Sequence, residues 1–321
     1  MSIIVTGGAG FIGSCIVRTL NEVGIDSVII VDNISKTSKW KNIVGKRYVE
    51  YIHKDSLLDR LPSILNISHV IHMGACSSTV EKDFDYLYAN NVEYTKMLWR
   101  FCVEKQISFI YASSAATYGA GTNGFSDELE LNKLVPLNGY GYSKHIFDLW
   151  AEKQTETPKQ YVGLKFFNIY GPNEYCKGTM ASVIFHGYKQ IKETGRLNLF
   201  KSYDPKYKHG EQLRDFIYVK DVCSVIEFFM ANSDISGIFN VGTGKARSFE
   251  ILGNSIFKAL GRPANIEYID MPRYLHEKYQ NFTEADIAKL RNTGYTKRFF
   301  SLEDGVIDYV HNYLDKDFLI F

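Results

Sequence analysis

A doubly wound α/β fold is what this sequence predicts, with a parallel sheet covered on both faces and a smaller domain interleaved with it. Three observations carry that expectation. Short β-branched runs alternate with amphipathic segments through the first half of the 321 residues. Those runs are apolar on both faces, as strands buried between two helical layers are. A glycine-rich turn also joins the first run to the first helical segment.

The elements follow in order. Ile3-Ile4-Val5 is a strand leading into the glycines, and a helix is expected from about residue 11 to 22. Val28-Ile29-Ile30-Val31 is a second strand ending at Asp32, and His69-Val70-Ile71-His72 another. A helix is expected over about 90–105, then a strand at Ser108-Phe109-Ile110-Tyr111. A further helix over about 142–155 precedes Val162-Gly163-Leu164-Lys165-Phe166. Strand, right-handed crossover and strand repeated in this way give a doubly wound sheet. The rhythm changes after Asn168, yet Ile238-Phe239-Asn240-Val241 again reads as a buried strand. Residues 1–168, with returning segments near 214–245, are therefore expected to form the nucleotide-binding domain, and 169–321 mainly a substrate domain.

Lys and Arg number 37 against 36 Asp and Glu, a formal charge of +1. That balance gives no broad electrostatic footprint for nucleic acid or an anionic membrane, so any bound anion must be gripped locally. With 45% hydrophobic and 23% charged residues the composition is that of a globular chain, which excludes disorder. Five scattered cysteines, none in a CxxC pair, argue against a disulfide framework or a zinc knuckle. No apolar run is long enough for a membrane helix. A soluble, cytoplasmic protein without a metal site is expected.

The turn itself is Gly7-Gly8-Ala9-Gly10-Phe11-Ile12-Gly13. Glycines at 7, 10 and 13 permit a tight turn, close approach of a pyrophosphate, and tight helix–strand packing. The free N–H groups at the helix start then meet phosphate charge. Asp32 lies 19 residues beyond Gly13, at the end of the second strand, where a ribose contact is expected. Asp32 alone favours NAD, whereas Lys36, Lys39, Lys41 and Lys54 can attract a 2′-phosphate. The residues leave NAD and NADP both open.

Tyr140-Gly141-Tyr142-Ser143-Lys144 carries the chemistry. Tyr140 and Lys144 are four apart and share a helix face. A tyrosine is a poor base because its free pKa is about 10. A nearby ammonium favours phenolate and brings it toward working pH. Ser113 or Ser114, at the end of the preceding strand, supplies a hydroxyl to hold a substrate alcohol against the phenol.

Together, glycine turn, serine pair and Tyr–Lys pair resemble the extended short-chain dehydrogenase/reductase family, of Rossmann fold, over nearly the whole chain. The resemblance narrows with His72-Met73-Gly74-Ala75-Cys76-Ser77-Ser78-Thr79, Tyr111-Ala112-Ser113-Ser114-Ala115-Ala116-Thr117-Tyr118-Gly119, Phe167-Asn168-Ile169-Tyr170-Gly171-Pro172, Lys177-Gly178-Thr179-Met180-Ala181-Ser182-Val183 and Tyr279-Gln280-Asn281-Phe282-Thr283. These stretches are similar to the family's epimerases that invert C6 of a heptose carried on ADP, a step toward the lipopolysaccharide inner core. The implied route is oxidation of the C6 hydroxyl by tightly held NADP, with NAD as the alternative, and return of the same hydride to the opposite face. Return to the other face favours a second acid/base group beside Tyr140. The resemblance assigns that role to Lys177, which by spacing alone is a loop lysine.

The same resemblance implies cofactor contacts from Phe11, Ile12, Asp32, Asn33, Lys39, Lys54, Met73, Gly74, Ala75, Cys76, Ser77, Asn91, Lys144, Ile169 and Lys177. It implies sugar-nucleotide contacts from Ser114, Asn168, Thr179, His186, Phe200, Lys201, Ser202, Tyr203, Arg214 and Tyr279. Arg214 has its own rationale, since a guanidinium fork suits a pyrophosphate. A homo-oligomer, pentamers among the family's forms, is implied in the same way. Two features depart from the pattern: extra residues over 204–211, on the nucleotide side, and Met73 where a glutamate is common. The rival readings are a 4-epimerase, a reductase, a 4,6-dehydratase and a non-catalytic dinucleotide sensor. Ala115 and Ala116 oppose the dehydratase, which needs an acidic pair there, and the intact Tyr–Lys pair opposes the sensor.

Overall fold

The β-branched runs assemble side by side in one seven-stranded sheet in the computed structural model, which describes residues 1–272 and 279–321. In chain order its strands are β1 (Ser2–Thr6), β2 (Val28–Asp32), β3 (Glu50–His53), β4 (Ile67–His72), β5 (Ser108–Ser114), β6 (Gln160–Phe166) and β7 (Gly237–Val241). Their spatial order is 3-2-1-4-5-6-7, with all neighbours parallel. The order reverses between β1 and β4, and a crevice opens there beyond the carboxyl ends of the strands.

Successive strand residues serve opposite cores, as the pleat requires. Val5, Ile30, Ile71, Ile110 and Val162 pack with the helices Phe11–Glu22 and Val219–Ala231. Ile4, Ile29, Val31, Val70 and Phe109 pack with Trp99 and Phe147 of the helices Tyr94–Lys105 and Gly139–Glu152. Trp99 meets Phe109, Phe147 and Trp150 edge-on, which suits aromatic quadrupoles better than flat stacking.

The second half interleaves with the first. Asn168–Tyr170 pairs in parallel with Phe216–Tyr218, and the helix Val219–Ala231 then returns to the first helix. Leu197–Phe200 pairs with Ile266–Ile269 under the helices Val183–Thr194 and Phe249–Ala259. Leu197, Leu252 and Ile256 belong to the same apolar core as Val5 and Ile30, so the two halves share one interior.

One strand and two helix starts differ from the sequence reading. The strand Glu50–His53 was not anticipated, because at the sheet edge only Ile52 is fully buried and the apolar signal is weak. The helix expected from about 90 is a wide turn at Ala89–Glu93 followed by regular helix from Tyr94. The helix expected from 142 starts at Gly139, because the Asn138 side chain accepts the Gly141 N–H at 2.8 Å and caps it. All five cysteines are free thiols. Among the described residues no helix is long and apolar enough to cross a membrane.

Candidate active site

The glycine turn follows directly from β1. Gly7 takes φ 65°, and a Cβ on it would lie 2.7 Å from the backbone nitrogen of Gly74. A Cβ on Gly13 would lie 2.2 Å from the Gly7 carbonyl. Both positions therefore exclude any side chain. Gly10 caps the helix without a side-chain bond, leaving the first-turn N–H groups facing the crevice as an anion seat. Beneath it His72 is held between the Thr6 hydroxyl at 2.6 Å and the Thr95 hydroxyl at 3.0 Å, and Thr6 Oγ1 accepts the Gly74 N–H at 3.1 Å. Burial lowers the His72 pKa to about 3, so the imidazole is neutral.

Asp32 closes one end of the crevice. Its Oδ2 accepts the Ala9 N–H at 2.9 Å, and its Oδ1 accepts the Asn33 N–H at 2.7 Å and the Lys39 ammonium at 2.6 Å. Asp32, Asn33, Lys39 and Lys54 line a recess of about 210 Å³. It shares Gly7, Asp32, Lys39 and Gly74 with a chamber of about 400 Å³ lined by residues 10–13, 73–78 and Lys177. That chamber in turn shares Phe11, Ile12, Met73, Ala75, Ser77 and Lys177 with one of about 330 Å³ holding Ser114, Tyr140, Lys144, Asn168 and Ile169.

Within the last chamber Tyr140 is half-buried and hydrogen-bonded to Ser114. Burial raises its phenol above the usual value, and the Ser114 bond opposes that rise. In place of the expected ammonium–phenol contact, Lys144 Nζ donates to the Ala112 carbonyl of β5 at 2.8 Å. A buried ammonium must find an acceptor, and the neighbouring strand supplies one. Burial lowers the Lys144 pKa to about 8, with the charge of Asp148 pulling it up. Lys177 stands at the junction of the two larger chambers, its Nζ 5.6 Å from the Phe11 ring centroid. Burial lowers its pKa as well, against the pull of Glu174.

The family is decided by the chain as a whole. Residues 3–242 match the NAD dependent epimerase/dehydratase family model. The chain belongs to that family. A relative from Fusobacterium nucleatum, named ADP-L-glycero-D-manno-heptose-6-epimerase, is 55% identical over 98% of each chain. The crystal structure of a Helicobacter pylori protein of the same name superposes with a TM-score of 0.81 at 28% identity, covering 97% of this chain and 95% of that one. A UDP-N-acetylglucosamine 4-epimerase from Methanobrevibacter ruminantium superposes with a TM-score of 0.80 at 26% identity, covering 98% of each.

As a member of the epimerase/dehydratase family the chain has a crevice that fits a pyridine dinucleotide: Gly7 and Gly74 meet backbone to backbone and Gly13 lies against the Gly7 carbonyl, which holds the turn tight beside the chamber lined by residues 10–13 and 73–78. Most residues expected at the cofactor line it. Asn91 does not. It is 1% exposed, its Oδ1 accepts the Cys76 N–H at 2.8 Å, and its Nδ2 donates to Cys76 O and Ser143 Oγ, each at 3.0 Å. Both ends of its amide hold the 73–77 segment in place.

Beyond the Tyr140 chamber, and sharing Val183 and Phe249 with it, a chamber of about 410 Å³ is lined by His186, Phe200, Phe249 and Tyr279. Arg214 is buried beside it, its guanidinium 5.1 Å from the Tyr279 ring centroid and 5.9 Å from that of Phe249. Lys201, Ser202 and Tyr203 lie outside it. Lys201 pairs with Asp270 at 3.0 Å, Tyr203 reaches the same carboxylate, and Ser202 bonds the Asp204 carbonyl and His209. Asp204 and His209, among the extra residues over 204–211, hold Ser202, whereas Asp270 holds Lys201 and Tyr203. Thr179 stands exposed outside these chambers.

The sequence reading missed the support behind Tyr140 and Lys144. Asp148, fully buried, accepts Ser113 Oγ at 2.6 Å, Tyr111 OH at 3.1 Å and Lys165 Nζ at 2.8 Å, and Lys165 also donates to Thr117 Oγ1 at 2.8 Å. Ser113 is thereby occupied, and Ser114 on the opposite face of β5 is the serine that meets Tyr140. The only sequence signal was an acid one helical turn beyond Lys144.

Proposed function

We propose that this protein inverts C6 of ADP-D-glycero-D-manno-heptose to give the ADP-L-glycero epimer, the reaction named for its 55%-identical relative. One observation carries the reading at the level of chemistry: Ser114, Tyr140 and Lys177 line a single chamber that opens onto the glycine turn. A pyridine dinucleotide bound along that turn supplies hydride removal at C6 and hydride return. Ser114 holds the C6 hydroxyl by a hydrogen bond while Tyr140 takes or gives its proton. Lys177 serves as the proton donor or acceptor for the other epimer, a role its burial favours by easing loss of the ammonium proton. Phe11 and Ile12 wall the chamber and exclude water from the transient ketone.

NADP is the proposed dinucleotide. Lys39 neutralises Asp32, and Lys39 and Lys54 leave the recess beside Asn33 suited to a 2′-phosphate. His186, Phe200 and Tyr279, with Arg214 behind them, form the nucleotide side. A cytoplasmic homo-oligomer, a pentamer by family resemblance, completes the reading, and the product heptose feeds lipopolysaccharide.

Incubating the purified protein with either C6 epimer and following interconversion tests the activity, and mass spectrometry of the nucleotide released by acid tests the cofactor. Lys177→Met should nearly abolish interconversion while bound nucleotide is retained. Normal turnover in that variant favours the second reading, a 4-epimerase, the activity named for the Methanobrevibacter ruminantium structure.

A further inference from the structure

The loop that carries Lys177 is held from two sides. From within, Glu174 is buried and its carboxylate accepts the Ser182 N–H at 2.5 Å, the Ser182 hydroxyl at 2.7 Å and the Gly171 N–H at 3.2 Å. From without, segment 317–321 lies against it. The chain reverses at Asp317 and Phe318, whose φ angles of 52° and 59° put two consecutive non-glycine residues in the left-handed region. Such a turn persists only where its surroundings hold it.

The holding contacts converge on the loop. Tyr175 OH donates to the Leu319 carbonyl at 2.9 Å, and the Phe318 ring meets Tyr175 edge-on at 5.6 Å. Asn173 makes a reciprocal pair with Phe321, its Nδ2 donating to the carbonyl at 3.2 Å and its Oδ1 accepting the N–H at 2.9 Å. The same Asn173 is itself left-handed at φ 74° and only 1% exposed. It also donates to Ser14 Oγ at 2.9 Å on the first helix, and its carbonyl accepts Asn42 Nδ2 at 3.2 Å. One side chain thus ties segment 317–321, the helix of the glycine turn and the Lys177 loop together.

We propose that segment 317–321 is a strap that positions Lys177 through Asn173 and Tyr175, and so serves proton transfer to one C6 epimer and not the other. The inference rests on the reading that Lys177 is the second acid/base group. Asn173 and Tyr175 are positioning residues, since they act through Lys177.

The test compares Tyr175→Phe, which drops one hydroxyl and keeps the ring, with Asn173→Gly, which keeps the left-handed backbone and removes the amide. Deletion of 318–321 is the third variant, and Lys177→Met the control. Each holoprotein is mixed with each C6 epimer separately, and nicotinamide absorbance in a single turnover, bound-nucleotide content and amide exchange over 171–177 are read. The strap variants should keep their nucleotide and exchange faster over the loop. They should be slowed on the order of 10- to 100-fold with the epimer that Lys177→Met also slows, and by less than about twofold with the other, because small misplacements of an acid/base group cost rates on that scale. Equal slowing with both epimers, loss of nucleotide, or unchanged rates would overturn the strap. If Lys177→Met itself shows no difference between epimers, the proton-transfer role of Lys177 fails and the strap with it. A difference in Lys177→Met alone leaves that role standing and refutes only the strap.

Discussion

Asp148→Asn tests whether the ion pair behind the Tyr140 chamber holds the fold. The two side chains are 0% and 1% exposed and 2.8 Å apart, so neither charge has water to fall back on. Asparagine keeps the volume and much of the bonding. Its oxygen can still accept from Ser113 and Lys165, and its amide faces the Tyr111 hydroxyl, which can rotate to accept. What is lost is the negative charge, leaving the Lys165 ammonium uncompensated. Breaking one side of such a buried pair costs about 3–5 kcal/mol. Urea unfolding at neutral pH, followed by the fluorescence of Trp99 and Trp150, reads that cost as a lowered midpoint at unchanged slope. Asp148→Asn/Lys165→Met should recover most of the loss. A single-variant loss below about 1 kcal/mol, or a double variant no better than the single, refutes the assignment of the cost to an orphaned charge.

Lys144 has a folded-state pKa of about 8, below the usual lysine value of 10.5, so between those values the unfolded chain binds more protons and stability rises with pH. Over that interval unfolding free energy should rise more steeply in the wild type than in Lys144→Met, measured by urea titration at stepped pH; parallel slopes would contradict the burial argument. Gly13→Ala should purify without bound nucleotide, because its Cβ would lie 2.2 Å from the Gly7 carbonyl, and nucleotide retained at the wild-type level would show that the turn can open without penalty. Lys39→Ala should weaken the 2′-phosphorylated dinucleotide by about tenfold relative to the unphosphorylated one, the worth of one charged hydrogen bond. Calorimetric titration of both nucleotides checks this, and an unchanged ratio would place the selectivity elsewhere.

The glycine turn and the helix after it were legible because their signals are local: β-branched runs, glycine spacing, and a helical period from Phe11 to Glu22. The serine that meets Tyr140 was not. Ser113 and Ser114 are equivalent as sequence; the strand pleat sends them to opposite faces, and only the Ser113 bond to Asp148, 35 positions on, tells which face is which. Asn91 was expected to contact the cofactor, yet whether an amide reaches outward or is consumed inside depends on its partners, here the Cys76 backbone and the Ser143 hydroxyl, 15 and 52 positions along the chain. The withdrawal of residues 201–203 has the same origin. The extra residues were visible, but the Asp270 that captures Lys201 pairs across 69 positions.

The neutral imidazole under the glycine turn has a consequence for how the dinucleotide is kept. His72 is clamped by two hydroxyls and its burial lowers the pKa to about 3, so the platform beneath the glycine turn is uncharged at neutral pH. The turn's own grip comes from fixed amide dipoles, which acidification cannot loosen.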